Sequence, residues 1–287
     1  MKKIKLLLFL LALPLGISSC SSDSGDSGSS SGESFTLTYN GQTKTVSAWQ
    51  ALKEDGLIDV TGNTADGIGI NFKFNPYGNL YQAFTYPSTA ASVIESQEAS
   101  AYFSENTFTF ELVDINTTNK TIRVNFNGKV YDDKYDHTSN FVIVSGSFKL
   151  IYTEIPAVLE GLGTSAQING EAWHGLAFTS SSSTSNYSTV LNVANGSEYE
   201  IGISYAYYAP ATGTFSFTSL SENKRITFSK YDVATHSMIE YNVNGTITYT
   251  IANSTYVEGT FSLIATHPTN GSTITITNGV FKEGSAT

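Results

Sequence analysis

The chain has 287 residues, a formal charge of −10, and 14% charged, 40% hydrophobic and 13% aromatic residues. That balance excludes a nucleic-acid footprint and a polybasic membrane contact, both of which need concentrated positive charge. A single cysteine excludes a disulfide framework, so the folded part must depend on an apolar core.

Lys2, Lys3 and Lys5 open the chain, and 4–15 is apolar apart from Lys5, the pattern of a secretory signal peptide. The run is shorter than the about 20 residues that a permanent membrane helix needs. Ile17-Ser18-Ser19-Cys20 resembles the lipobox of bacterial lipoproteins. The resemblance implies a leader over 1–19, acylation of Cys20 and a lipid anchor in the outer membrane. It leaves the surface and periplasmic faces open. Losing the three lysines would bring the mature chain to about −13, a thinly spread acidity that serves solubility.

Residues 20–34 are almost wholly Ser, Gly and Asp after the cysteine, a composition that buries nothing and reads as a flexible tether. As a Gly/Ser coil it would reach roughly 20 Å. Asp23 and Asp26 resemble, loosely, the acidic export signals of Bacteroidetes surface lipoproteins. Gly25-Asp26-Ser27-Gly28 matches the heart of a serine-protease motif, but only the leader precedes it and a tether holds no oxyanion hole.

From residue 35 on the signal is β. Apolar and small residues alternate in Ile68-Gly-Ile-Asn-Phe-Lys-Phe74 and again in Ile201-Gly-Ile-Ser-Tyr-Ala-Tyr207. A short helix is expected around 92–103. Phe110-Glu-Leu-Val-Asp114 matches Phe228-Ser-Lys-Tyr-Asp232. Asn125–Val130 matches Asn242–Ile247, and Val144–Ile151 matches Val257–Ile264. The four pairs are 133, 118, 117 and 113 residues apart and run in the same order. Asn40-Gly41 followed by Trp49 echoes Asn169-Gly170 followed by Trp173. This order predicts a duplication: domain 1 over 35–157, a Pro/Gly junction, and domain 2 over 165–287. Asn-Gly pairs at 195, 244, 270 and 278 read as turns. The expected fold is all-β, two tandem antiparallel sandwiches or partly open barrels.

Val257-Glu-Gly-Thr-Phe-Ser-Leu263 and Gly271-Ser-Thr-Ile-Thr-Ile-Thr-Asn-Gly-Val-Phe281 resemble the close of a family of uncharacterised Bacteroidetes lipoprotein domains. The resemblance covers the second half. The first half lacks the Ile-Thr-Asn-Gly ending. It implies a location and a fold, and no chemistry.

Candidate chemistry is sparse. His137, His174, His236 and His267 are scattered, with no metal-binding spacing among them. No nucleophile elbow or phosphate loop occurs in the β region. Asp132, Asp133 and Asp136 offer hard oxygens to calcium. Their spacing is that of no calcium loop and Lys134 sits among them, so a solvated hairpin loop is the competing reading. Tyr77, Tyr81 and Tyr208 fall off the apolar beat and are candidates for an exposed ligand-contact face. Phe72, Phe74, Tyr205 and Tyr207 are on it and are expected in the core. No catalytic residue and no cofactor is expected. The sequence therefore predicts a non-catalytic envelope lipoprotein that contacts the membrane through Cys20 and an envelope protein or glycan through its β domains. A hydrolase with an unrecognised site is the alternative.

Overall fold

The computed structural model describes residues 32–101, 107–183, 188–206, 211–220 and 225–284. Cys20, most of the tether and Tyr208 lie outside the described residues. The strands of the first half are β1 (Ser34–Tyr39), β2 (Gln42–Glu54), β3 (Leu57–Thr64), β4 (Ile68–Phe74), β5 (Leu80–Pro87), β6 (Gln97–Ala99), β7 (Phe108–Asn116), β8 (Thr121–Tyr131), β9 (Phe141–Ile151) and β10 (Thr153–Ile155). Those of the second are β11 (Gly163–Ile168), β12 (Glu171–Ser183), β13 (Ser188–Ala194), β14 (Tyr199–Ala206), β15 (Gly213–Thr218), β16 (Ile226–Asp232), β17 (Ser237–Glu240), β18 (Asn242–Ala252), β19 (Tyr256–Thr266) and β20 (Thr273–Gly284). No helix occurs among the described residues.

The first sheet runs β1-β9-β8-β6-β5-β4-β3-β2 and closes on itself, because β1 also pairs with β2. It is an eight-stranded barrel, with β7 added along β8 and β10 lying parallel on β2. The second sheet runs β15-β18-β19-β20-β11-β12-β13-β14-β16-β17 and stays open between its edges. It curls, so that the Tyr249 hydroxyl of β18 donates to the Ser204 carbonyl of β14. Of the two architectures the sequence allowed, the barrel forms: each sheet bends round its own core instead of packing flat against a second sheet.

Alternation explains what fills them. In β3 every second residue is buried, and in β20 Ile274 and Ile276 point inward between exposed threonines, as Phe281 does further along. An eight-stranded barrel is only wide enough for side chains or one small ligand. Here phenylalanines take that space. Phe72 lies 4.7 Å from Phe126 and 5.7 Å from Phe148, ring centre to ring centre, and Phe35 lies 5.2 Å from Phe148. Function must then sit outside the barrel lumen.

Parts of the two sheets share strand lengths and pairing order. β1 and β11 have 6 residues each, β2 and β12 have 13, and β8 and β19 have 11. β1 pairs with β2 and β9, as β11 pairs with β12 and β20. β7 breaks register against β8 between Leu112 and Asp114, as β18 does against β19 between Tyr249 and Ile251. The correspondence is therefore β7-β8-β9 with β18-β19-β20, and the sequence matches of 125–130 with 242–247 and 144–151 with 257–264 are one strand out of step. The cause is that Gly-x-Phe recurs on neighbouring strands: Gly146-Ser-Phe148-Lys149 of β9 meets its counterpart in Gly279-Val-Phe281-Lys282 of β20. Phe110–Asp114 and Phe228–Asp232 also occupy different places, since β7 pairs with β8 whereas β16 pairs with β14 and β17. Nor do the tryptophans correspond. Trp173 faces Ala166 across its hairpin and is buried, in the position held by Lys44 opposite Leu37, while Trp49 is exposed.

The turn signals hold where φ demands them. Asn40-Gly41 and Asn169-Gly170 both take positive φ, as two-residue hairpin turns require. Asn244-Gly245 instead lies inside β18, where an added Cβ would sit 2.2 Å from the Ser262 carbonyl oxygen. Its glycine serves strand approach, not a turn. Asn278-Gly279 likewise lies within β20, at a bulge opposite 261–263. In place of the helix expected over 92–103, Gln97–Ala99 is strand, bridging β5 to β8 and closing the barrel; residues 102–106 lie outside the described ones. Tertiary pairing here outweighs the helix preference of Glu, Gln and Ala.

The curl of the second sheet gives a first expected result. Tyr249→Phe keeps the ring and removes the bond to Ser204, so chemical denaturation should show a loss of about 1 kcal/mol.

Candidate functional site

The two sheets belong to one compact unit, Glu33–Thr287. Their seam is built from the β4–β5 turn on one side and the face of β12 on the other. Asn75 shapes the turn. Its side chain is buried, its Oδ1 accepts from the backbone N–H groups of Tyr77 (3.1 Å) and Asn79 (2.9 Å), and its Nδ2 donates to Asn79 Oδ1 and to the Tyr81 hydroxyl (3.0 Å). Gly78 supplies a positive φ of 88°. The result is that Tyr77 projects from the turn with its ring 3.6 Å from that of His174 and only 5° from parallel. Burial lowers the pKa of His174, which keeps its imidazole neutral against the tyrosine ring. Tyr77 is nevertheless 68% exposed, so the face turned away from His174 is open to solvent.

This stacked pair borders a groove of about 570 Å³ lined also by Lys53, Asp55, Ser165, Glu258 and Lys282. Asp55 Oδ2 accepts from the Leu162 N–H at 2.8 Å, and Lys282 donates to the Glu160 carbonyl at 2.5 Å, so both wall segments are held. Further along the seam Tyr81 meets Phe178 edge to face at 4.8 Å. Burial pushes the Tyr81 hydroxyl up to about 12, so it stays neutral. A smaller groove of about 280 Å³ follows, with Gln82, Glu98 and Lys134 joined by a 2.8 Å hydrogen bond and a 3.0 Å ion pair.

The sequence candidates fall as follows. Tyr77 lines the 570 Å³ groove. Tyr81 lies in the seam, with its hydroxyl bonded to Asn75. Tyr208 and Cys20 lie outside the described residues. The three aspartates are used by their own loop and by β6: Asp132 accepts from Gln97 (2.9 Å) and Asn140 (3.1 Å), Asp133 from the Tyr135 N–H (2.9 Å), and Asp136 from the N–H and hydroxyl of Thr138 (2.8 and 2.7 Å). Among the described residues no three His, Cys, Asp or Glu side chains are grouped to hold a metal ion.

Two histidines that are distant in sequence do meet. His137 and His236 lie 6.0 Å apart at the seam, with Tyr231 hydrogen-bonded to His236 at 3.3 Å. His137 Nε2 also bonds the Ser100 hydroxyl. Ser100 is completely buried, so no substrate reaches its hydroxyl in this conformation.

Sequence reasoning missed His174, Phe178 and Asn75. The Asn-Pro-Tyr-Gly run at 75–78 is a turn signal that marks Tyr77 for display. Nothing local marks His174, because its partner comes from the other half of the chain.

Residues 163–285 match the model of a family described as a domain of unknown function (DUF6252). The match begins on the first residue of β11 and ends just after β20, so the family domain and the curled sheet coincide. An all-β, two-domain protein whose second half resembles an uncharacterised domain family is thus what fold and comparison define. No curated protein matches the chain, and no solved structure does.

Proposed function

We propose that this is a bacterial envelope lipoprotein, anchored in the outer membrane through Cys20, that binds a ligand without transforming it in the groove between its two β domains. The observation that carries the reading is Tyr77: a large aromatic ring, 68% exposed, held rigid by a turn and a stacked imidazole at the rim of a groove. Exposed aromatics so ordered are characteristic of recognition sites, since they supply contact area with little entropy left to lose. The lipobox-like Ile17–Cys20 and the Ser/Gly tether support display away from a membrane.

The test is an array of envelope glycans and envelope proteins probed with wild type and Tyr77→Ala. The variant should lose at least about tenfold in apparent affinity, about 1.4 kcal/mol, for whatever the wild type captures. Equal capture by both chains, or a ligand recovered cleaved, would contradict the reading. Anchoring has its own check: Cys20→Ala should abolish palmitate incorporation, and label in that variant would sink the anchor.

A further inference from the structure

We infer that the ligand of the Tyr77 groove is an uncharged saccharide chain; this rests on the reading of the groove as a binding site. Three features of the groove select that class. First, its charged lining is balanced, with Lys53 and Lys282 against Asp55 and Glu258, and His174 is kept neutral by burial. A charged ligand would meet one repelling pair for each attracting one, whereas a neutral polyol finds donors and acceptors of both kinds. Second, the platform is a single flat ring with one face free. A pyranose offers an apolar C–H face to such a ring and directs its hydroxyls sideways, and the same groove is lined by Lys53, Asp55 and Ser165.

Third, the walls refuse the chief competitor, an extended peptide. Peptides commonly dock by adding a strand to an open sheet edge. Here β11, which carries Ser165, is paired on both sides, with β12 and β20. β2 at Lys53 is also paired on both sides, with β3 and β10. Strand addition is therefore closed to a peptide at β2 and β11, and the polar side chains of Lys53, Asp55 and Ser165 are among the groups left to meet a ligand.

The experiment uses the unit Glu33–Thr287, which contains every strand pairing and both cores and so folds by itself. Tyrosine and histidine ring resonances are followed by NMR during titration with two probe sets: neutral hexasaccharides of glucose, xylose and mannose, and a pool of random uncharged decapeptides. The expected result is that at least one saccharide shifts the Tyr77 and His174 signals together. Tyr77→Ala should weaken that titration at least about tenfold, while Tyr77→Phe, which keeps the ring, stays within about twofold of wild type. Peptides shifting these rings while saccharides do not would overturn the saccharide and leave the groove. Neither set shifting them would overturn both.

Discussion

Glu283→Gln is expected to flatten the pH dependence of stability between about pH 4.5 and 7 and to make the protein more stable at pH 8. Glu283 points from β20 into the core and is 1% exposed. Its Oε1 accepts from the Thr164 hydroxyl at 2.7 Å and its Oε2 from the Ala177 N–H at 3.2 Å. Burial pushes its carboxyl from 4.5 up to about 7, against the two hydrogen bonds, which lower it. The folded state thus prefers the protonated form. Its contribution is fully present below about pH 4.5 and is lost as pH rises through about 7. The shift corresponds to a swing of about 3 kcal/mol. Glutamine keeps an acceptor for Ala177, and the Thr164 hydroxyl can turn to accept from its amide, so the variant retains both bonds. Denaturation midpoints at pH 5 and 8 measure the effect; an unchanged wild-type slope in Glu283→Gln would refute the assignment. Asp66 and Asp136 bear the opposite sign. Hydrogen bonds, from Lys44 and Thr64 to the one and from Thr138 to the other, hold both below the usual carboxylate range, so their contribution is lost only in acid.

The second large effect is in the barrel. Phe72→Ala removes a fully buried ring that packs against Phe110, Phe126 and Phe148. The closed ring of strands cannot collapse freely onto the void, so a loss of about 3–5 kcal/mol is expected. The two cores share no residue, the first gathering residues from Phe35 to Tyr152 and the second from Ala166 to Phe281. Hydrogen exchange should therefore accelerate in the strands between 34 and 155 and stay nearly unchanged from 163 onward. Acceleration throughout would mean that the halves unfold as one.

These cores explain what the sequence could show. Period-two alternation is local, so Phe72, Phe74 and Tyr205 could be placed inside from spacing alone, and the turns at Asn40-Gly41 and Asn169-Gly170 could be read as a recurring signal. Strand partners are not local. The bulges at 112–114 and 249–251 align the halves unambiguously, but they become visible only in the pairing, which is why Gly-x-Phe led the sequence matches one strand astray. The helix over 92–103 failed for the same reason: closure between β5 and β8 decides that segment, and β8 is separated from it in the chain by β7. The site was half legible. An Asn-Pro-Tyr-Gly turn announces a displayed tyrosine, while the histidine beneath it lies on a strand of the other half. Burial of a glutamate between two strands left no trace in composition at all.

The seam groove as the recognition site is tested most directly by a crystal structure of Glu33–Thr287 with the saccharide that titrates Tyr77. The expected density is a sugar ring stacked on the face of Tyr77 opposite His174, with its hydroxyls reaching Lys53, Asp55 or Ser165. Electron density for the sugar inside the first barrel or on an outer strand face, with Tyr77 untouched, would contradict it.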